Sequence, residues 1–271
     1  MSLNIVPKIG EDATEISIID KFVEDKIEMQ LLSSNIKNFH KKVEAFLKAK
    51  NLKLLIVHLP MEITDWESIP INKEIENDFF AFVRECATLS NKYDTNICIL
   101  GHMTFRYEVI KHVGMKEWFG HILRMTSDSK VSFLIENPTT EPYKAKSGES
   151  FLRFVRDLNN PRVRCCFDLC HYNVTHFLLG DSYKMPNDLG KYTFSVHFSS
   201  LPIKEHLFEP NTHGRCHNTK EDLLKDLNTL KNIGIDLDTV YIVTEINEND
   251  YINKPDLIHE LQLLTEIVKG E

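Results

Sequence analysis

Eight short apolar runs, separated by stretches of helical periodicity, constrain the fold of this 271-residue chain most strongly. The runs are rich in Val, Ile, Leu and Phe, as parallel strands buried on both faces are. Eight strands, each followed by a helix, in about 250–270 residues suit a (β/α)8 TIM barrel. We therefore predict an α/β fold, a single TIM barrel that occupies residues 1–271 as one domain. The predicted strands are Leu3–Val6, Ile27–Leu32, Leu52–Val57, Asn96–Leu100, Val131–Ile135, Val163–Phe167, Tyr192–Val196 and Val240–Val243.

Helices are expected between the strands because apolar residues recur there every three or four positions. Thr219 with Asp222 predicts a capping-box-like helix start, and Pro255 suits a first helical turn. Gly234 suits a helix end. A doubly wound open sheet is the alternative, although no GxGxxG or GxxxxGK[ST] motif supports a nucleotide-binding version of it. The predicted helices are Ser34–Lys50, Lys73–Tyr93, Arg106–Met125, Glu149–Leu158, Lys220–Asn232 and Asp256–Lys269.

Composition and charge narrow the class of protein. The chain is 42% hydrophobic and 27% charged, with a formal net charge of −8, which is typical of a globular protein. The charge disfavours a generally basic nucleic-acid binder but allows a local basic groove. No apolar run is long enough for a membrane span, and there is neither a secretory signal nor a paired CxxC motif. We expect a cytoplasmic protein with no membrane partner.

Ionisable residues follow six consecutive predicted strands, starting with the third. In a barrel of this kind the catalytic residues lie at the carboxyl ends of the strands. Crowded carboxylates there would repel one another, and a bound divalent cation would remove that repulsion. Imidazole and carboxylate ligands without a regular thiolate set suit zinc, manganese or iron. The strand-end residues are His58, His102, Glu136, Asp168, His197 and Glu245, and the loop after the seventh strand adds Asn211, His213 and Arg215.

The other residues of these types are expected to have structural roles. Cys165, Cys166 and Cys170 flank Asp168 and are expected to pack around it. Seven histidines fall in predicted helices or loops and are expected at the surface: His40, His112, His121, His176, His206, His217 and His259.

The segment Cys166-Phe167-Asp168-Leu169-Cys170-His171, followed by Gly180 and Asp181, resembles the Cys-x-Asp-Thr-Cys-His segment of the endonuclease IV family. Members of that family are metal-dependent apurinic/apyrimidinic endonucleases within the xylose isomerase-like TIM-barrel superfamily. The sequence around Glu136 and Asn137 resembles the family's strand-five segment, and the sequence around Glu245 resembles its strand-eight segment. The resemblance extends from about the third strand to the eighth.

The resemblance implies a centre of two or three divalent ions, zinc first and manganese or iron as alternatives. His58, His102 and Glu136 would hold one ion. Glu136 would bridge to a second ion, bound also by Asp168, His197 and Glu245. His171 and His213 would hold a third, but Asn211 replaces the aspartate that the family has there, so this ion is expected to be weak or absent. Asn211 and Arg215 are the predicted substrate contacts.

Departures from the family concern DNA contact more than metal binding. Pro138–Pro142 replaces a small, Gly-rich stretch, and Ser199 and Ser200 replace an Asn-Asp pair. No aromatic wedge follows His58.

Three functions therefore stay open. The first is a metal-dependent phosphodiester hydrolase of the endonuclease IV type, acting on abasic-site DNA, with Glu136 and Glu245 as the catalytic residues that hold the ions. The second is an isomerase or epimerase of a small sugar or sugar phosphate. It would use one divalent ion, with Glu136 and Glu245 exchanging a proton next to a carbonyl. The third is a divergent di-iron or non-catalytic metal protein on the same barrel.

Overall fold

The computed structural model describes most of the chain. The described residues are 3–32, 36–60, 73–102, 109–137, 149–180, 183–201, 214–247 and 252–270. Among them no helix is both long and apolar enough to cross a lipid bilayer.

The predicted fold class is confirmed, because eight strands form a closed barrel in the order of the chain. Neighbouring strands are parallel wherever their register is described. The strands alternate with helices, as a (β/α)8 barrel requires. The strands are β1 (Asn4–Ile9), β2 (Lys26–Gln30), β3 (Leu54–His58), β4 (Asn96–His102), β5 (Val131–Glu136), β6 (Val163–Asp168), β7 (Thr193–Phe198) and β8 (Tyr241–Thr244).

Several strands extend one or two residues beyond their predicted ends. His58, His102 and Glu136 are the last residues of β3, β4 and β5. Asp168 is the last residue of β6 and lies opposite His197 in the register with β7. These five candidate ligands thus belong to the strands themselves, where ladder hydrogen bonds hold the backbone, whereas Glu245 directly follows β8.

The described α-helices lie between successive strands in the chain or follow the last one. Three helices have the predicted bounds: α2 (Lys73–Tyr93), α4 (Glu149–Leu158) and α7 (Lys220–Asn232). Neither α5 (Leu169–Leu179) nor the four-residue α6 (Leu189–Tyr192) was predicted. The sequence of α5 is apolar on most sides and lacks the polar face that makes a helical period recognisable. The helices are α1 (Phe39–Ala49), α2 (Lys73–Tyr93), α3 (Val109–Met125), α4 (Glu149–Leu158), α5 (Leu169–Leu179), α6 (Leu189–Tyr192), α7 (Lys220–Asn232) and α8 (Pro255–Lys269).

The predicted helix-end signals are confirmed where they are described. Thr219 caps α7 by accepting a hydrogen bond from the backbone N–H of Asp222 at 3.2 Å. Pro255 is the first residue of α8. Gly234 follows the end of α7 with a φ of +88°, a conformation that glycine adopts without steric cost.

The backbone forms two compact units. One comprises Met1–Lys8, Asn137–Arg153 and Cys165–Glu271, and the other comprises Ile9–Glu136 and Phe154–Arg164. The first contains the carboxyl ends of β6, β7 and β8, and the second contains those of β2 to β5. The expectation of one domain over residues 1–271 stays a prediction.

The backbone at Gly190 lies very close to the backbone at Gly234 in the first unit, and a substitution at Gly190 tests this packing. A Cβ atom added at Gly190 in α6 would lie 2.1 Å from the carbonyl oxygen of Gly234. We expect Gly190→Ala to lower the free energy of unfolding by about 1–3 kcal/mol, because the backbone must move to relieve the overlap. Urea denaturation measures the change.

Gly120→Ala is the matched control. Gly120 lies within α3, and an added Cβ would meet only the end of the Arg124 side chain, at 3.4 Å. This substitution is expected to leave stability unchanged or raise it by up to about 1 kcal/mol. Equal stability of the two variants would contradict the described packing of Gly190.

Candidate metal centre

Asp168, His197 and Glu245 bring three ligand-type side chains together in the first unit. Asp168 ends β6, His197 is the next-to-last residue of β7, and Glu245 directly follows β8. One ligand atom from each lies within 4.8 Å of the other two. His197 Nδ1 is 2.9 Å from Glu245 Oε2 and 3.8 Å from Asp168 Oδ2. Asp168 and His197 are buried, whereas Glu245 is partly exposed.

Local hydrogen bonds orient Asp168. Its Oδ1 accepts the backbone N–H of His171 at 2.7 Å, which caps the amino terminus of α5. The Asn137 side chain accepts from Asp168 N at 2.6 Å and donates to Asp168 O at 3.0 Å. These contacts hold the carboxylate so that Oδ2, the other oxygen, is the one on the His197 side.

Lys8 and the backbone of Gly214 lie close to Glu245. The Lys8 ammonium forms an ion pair with Glu245 Oε1, on the opposite oxygen from His197. The carbonyl of Gly214 accepts the backbone N–H of Asn247 at 2.6 Å. A Cβ atom at position 214 would lie 2.9 Å from the carbonyl oxygen of Glu245, so a side chain there would displace the backbone at one of the two positions.

The donor set fits a divalent metal ion. Two carboxylates and one imidazole suit zinc, manganese or iron, whose ligand atoms lie roughly 3–3.5 Å apart when each is about 2.1 Å from the ion. The distances around His197 Nδ1 are close to that range. The possible metal site expected from the sequence is thus supported, while the identity and number of the ions stay predictions.

A second buried group of ionisable residues lies in the other unit. His58 Nδ1 donates to Glu28 Oε1 at 3.2 Å, and His58 Nε2 is 3.6 Å from Glu136 Oε2. All three side chains are at most 2% exposed. Since Nδ1 carries a proton, Nε2 of a neutral His58 would face the Glu136 carboxylate with its lone pair. Either a cation or a second proton on the ring would remove that repulsion.

The remaining predicted site residues differ in how far they are described. His171 Nδ1 is 2.8 Å from the carbonyl oxygen of Asn137 and donates to it, so Nε2 is the nitrogen suited to a metal. Arg215 is exposed, and its carbonyl accepts the backbone N–H of Ser200 at 2.7 Å. The side chain of His102, and all of Asn211 and His213, lie outside the described residues. The roles assigned to these residues stay predictions.

Sequence reasoning missed Lys8 and Glu28. Lys8 was overlooked because the first strand was expected to end at Val6, whereas β1 continues to Ile9. Glu28 lies in the middle of β2 and is fully buried. A charged residue inside an apolar strand is the signal that could have identified it, since buried carboxylates are rare unless paired.

The expectation that His217 lies at the surface was wrong, because its side chain is 1% exposed. His217 Nδ1 is 2.7 Å from Glu260 Oε1, and Nε2 is 3.2 Å from Asp226 Oδ2. The ring stacks on Phe198, next to His197 in the chain, with centroids 5.0 Å apart. Burial by itself lowers the pKa of His217, but hydrogen bonds and charge from Asp226 and Glu260 outweigh it and raise the pKa to about 9. The two carboxylates make burial of this imidazolium possible.

The barrel fold agrees with the comparisons to known proteins. The chain belongs to the xylose isomerase-like TIM barrel family, which it matches over residues 5–266. No curated protein matches it.

Solved structures also share the fold. One is 3-keto-D-glucoside 4-epimerase from E. coli, with 13% identity, 100% of both chains covered and a TM-score of 0.60. A second is D-psicose 3-epimerase from Clostridium cellulolyticum H10 with D-tagatose, with 13% identity, 98% of both chains covered and a TM-score of 0.58. A third is a Thermus thermophilus protein soaked with zinc chloride, with 14% identity, 99% of both chains covered and a TM-score of 0.64. At these identities the similarity concerns the fold alone.

The metal centre can be tested at Asp168. In Asp168→Asn the side-chain oxygen can still cap α5, but the carboxylate charge is lost. We expect Mn²⁺ affinity to fall by at least about tenfold, while the thermal unfolding temperature of the metal-free protein changes little. Isothermal titration of chelator-treated protein measures the affinity. Asp222→Asn, at an exposed carboxylate in α7, is the control, and equal affinity in both variants would contradict the assignment.

The raised pKa of His217 predicts a pH dependence of stability. Its folded-state pKa of about 9 lies above the ordinary histidine value of 6.5. The contribution of the imidazolium is therefore fully present below about pH 6.5 and is lost as pH rises through 9. The shift corresponds to about 3 kcal/mol. Urea denaturation from pH 6 to 9.5 should show this loss in the native protein and not in His217→Gln. Parallel curves for the two proteins would refute the linkage.

Proposed function

We propose that this protein is a metal-dependent isomerase or epimerase of a small sugar or sugar phosphate. The observation that carries the proposal is the group of Asp168, His197 and Glu245 at the carboxyl ends of three successive strands. Glu136, the last residue of β5, is the proposed fourth ligand. Three carboxylates and one imidazole would hold a single divalent ion, as the sequence comparison with the superfamily implies.

A divalent ion held there would polarise a carbonyl oxygen of the substrate and so acidify the neighbouring C–H bond. Glu136 and Glu245 are the proposed acid–base pair. In its carboxylate form, one residue accepts the proton from the carbon next to the carbonyl. The other, in its protonated form, delivers a proton either to the opposite face of the same carbon or to the neighbouring position. Asn137 and the backbone of His171 hold Asp168 in position throughout.

Two further observations support a sugar over DNA. Of the three solved structures described above, the two whose names state an activity are carbohydrate epimerases. Ser199 replaces a family position tied to DNA contact, and it is 2% exposed, with its hydroxyl 3.1 Å from Cys170 Sγ. A side chain buried in this way does not present itself to a nucleic acid.

The arrangement around His58 favours a second candidate, a multinuclear phosphodiester hydrolase acting on abasic-site DNA. Metal-binding histidines usually donate their other ring N–H to a carboxylate or carbonyl. His58 does so to Glu28, and its Nε2 faces Glu136. A further ion between His58 and Glu136, with His102 as an added ligand, would give the two-metal site that this chemistry uses.

Hydrogen exchange tests the proposed reaction directly. The protein is incubated in D2O with ketopentoses, ketohexoses and their phosphates, in the presence of Mn²⁺, Co²⁺ or Zn²⁺. We expect deuterium to enter a carbon next to the carbonyl, as measured by NMR. Glu136→Gln and Glu245→Gln should each slow the exchange by about 10²–10⁴-fold, because each removes an acid–base group. Absence of exchange for every substrate and ion would refute the proposal.

His102→Ala separates the two candidates. An isomerase using one ion does not require His102, so the variant should keep most of its exchange activity. A multinuclear hydrolase should lose its activity in the same variant. Cleavage of duplex DNA with one abasic site by the native protein, lost in His102→Ala, would favour the hydrolase.

A further inference from the structure

Lys8 is a buried cation beside the candidate metal centre, and the proposed reaction assigns it no role. Only 8% of its side chain is exposed, and its ammonium pairs with Glu245 Oε1. Lysine is rarely buried to this extent without a partner, because removal of an ammonium from water is costly. A specific requirement for the charge at this position is therefore expected.

The fold presents Lys8 to Glu245. Strands β1 and β8 are parallel neighbours, and Pro7 lies opposite Thr244 in their register. Lys8 and Glu245 directly follow this pair in the chain, so the strand register brings the two residues close to each other.

The contacts divide the two oxygens of Glu245 between two partners. Oε1 accepts from Lys8, and Oε2 is 2.9 Å from His197 Nδ1. A cation bound beside His197 and Asp168 would thus meet Oε2, while the ammonium retains Oε1. The carboxylate would otherwise be able to rotate and offer both oxygens to the same ion, as carboxylates often do.

We propose that Lys8 is a positioning residue that restricts Glu245 to a single-oxygen contact with the metal ion, an inference that rests on the proposed function. The arrangement has opposite effects on binding and on turnover. The ammonium repels the nearby cation and so weakens metal binding. It also holds the carboxylate in one orientation, which proton transfer to and from the substrate requires.

The test compares the native protein with Lys8→Met and Lys8→Arg. Methionine keeps much of the apolar stem but has no charge, and arginine keeps the charge and donates to a carboxylate. Lys130→Met, at an exposed lysine paired with Asp94, is the control for loss of a surface ion pair. Chelator-treated proteins are titrated with Co²⁺, which reports affinity by calorimetry and coordination by its visible spectrum.

We expect Lys8→Met to bind Co²⁺ at least about tenfold more tightly than the native protein. Its visible absorption should be weaker, because a second oxygen from Glu245 raises the coordination number. In the exchange assay kcat should fall at least about tenfold while KM changes less than about threefold. Lys8→Arg should resemble the native protein in affinity and spectrum. A residue with only a structural role would not tighten metal binding when removed.

Weaker or unchanged Co²⁺ affinity in folded Lys8→Met would overturn the inference, as would an unchanged spectrum. If circular dichroism shows that Lys8→Met does not fold, the Co²⁺ affinity and spectrum of Lys8→Arg test the inference instead. Native-like affinity and spectrum then support the role of the charge, and a change in either contradicts it. Failure of the native protein to catalyse exchange would refute the proposed reaction, whereas the cobalt measurements would still decide the role of Lys8 in metal binding.

Discussion

Electrostatic repulsion between neighbouring ligand groups is the constraint on which this structure depends. Asp168 and Glu245 each place a carboxylate oxygen within 4.8 Å of the other, beside a buried imidazole. In a buried site little water is present to screen these charges, so the repulsion between them is strong. The Lys8 ammonium and the capped end of α5 compensate part of the negative charge. A divalent cation would compensate the rest, and the donor set is therefore a candidate metal centre.

The same constraint explains how the site is built. Asp168 and His197 lie at the ends of strands, Glu245 directly follows one, and supporting contacts orient two of these three side chains. Asn137 and the α5 amino terminus orient Asp168, and Lys8 orients Glu245. In the other unit, Glu28 orients His58 towards Glu136. Such supporting contacts orient the side chains that bind a metal ion, and their loss weakens metal binding.

The candidate metal ligands do not by themselves determine which reaction is catalysed. The core residues suit both proton exchange in a sugar and hydrolysis of a phosphate ester, because a divalent ion can stabilise negative charge in either. The choice depends on further ligands and on the loops that contact the substrate. The buried position of Ser199 supports the proposed sugar substrate, whereas the orientation of His58 towards Glu136 is the observation that supports the hydrolase.

The sequence by itself determined the barrel and predicted candidate ligands at the strand ends, because apolar runs and their spacing depend on local periodicity and chain order. Only the tertiary structure decided which side chains support them. Lys8 meets Glu245 because β1 is adjacent to β8, although the two residues are 237 positions apart. His217 was expected at the surface but is buried, and one of the two carboxylates that pair with it, Glu260, is 43 positions away. Burial and pairing of charges arise from contacts between remote segments, and a periodic pattern carries no information about those contacts.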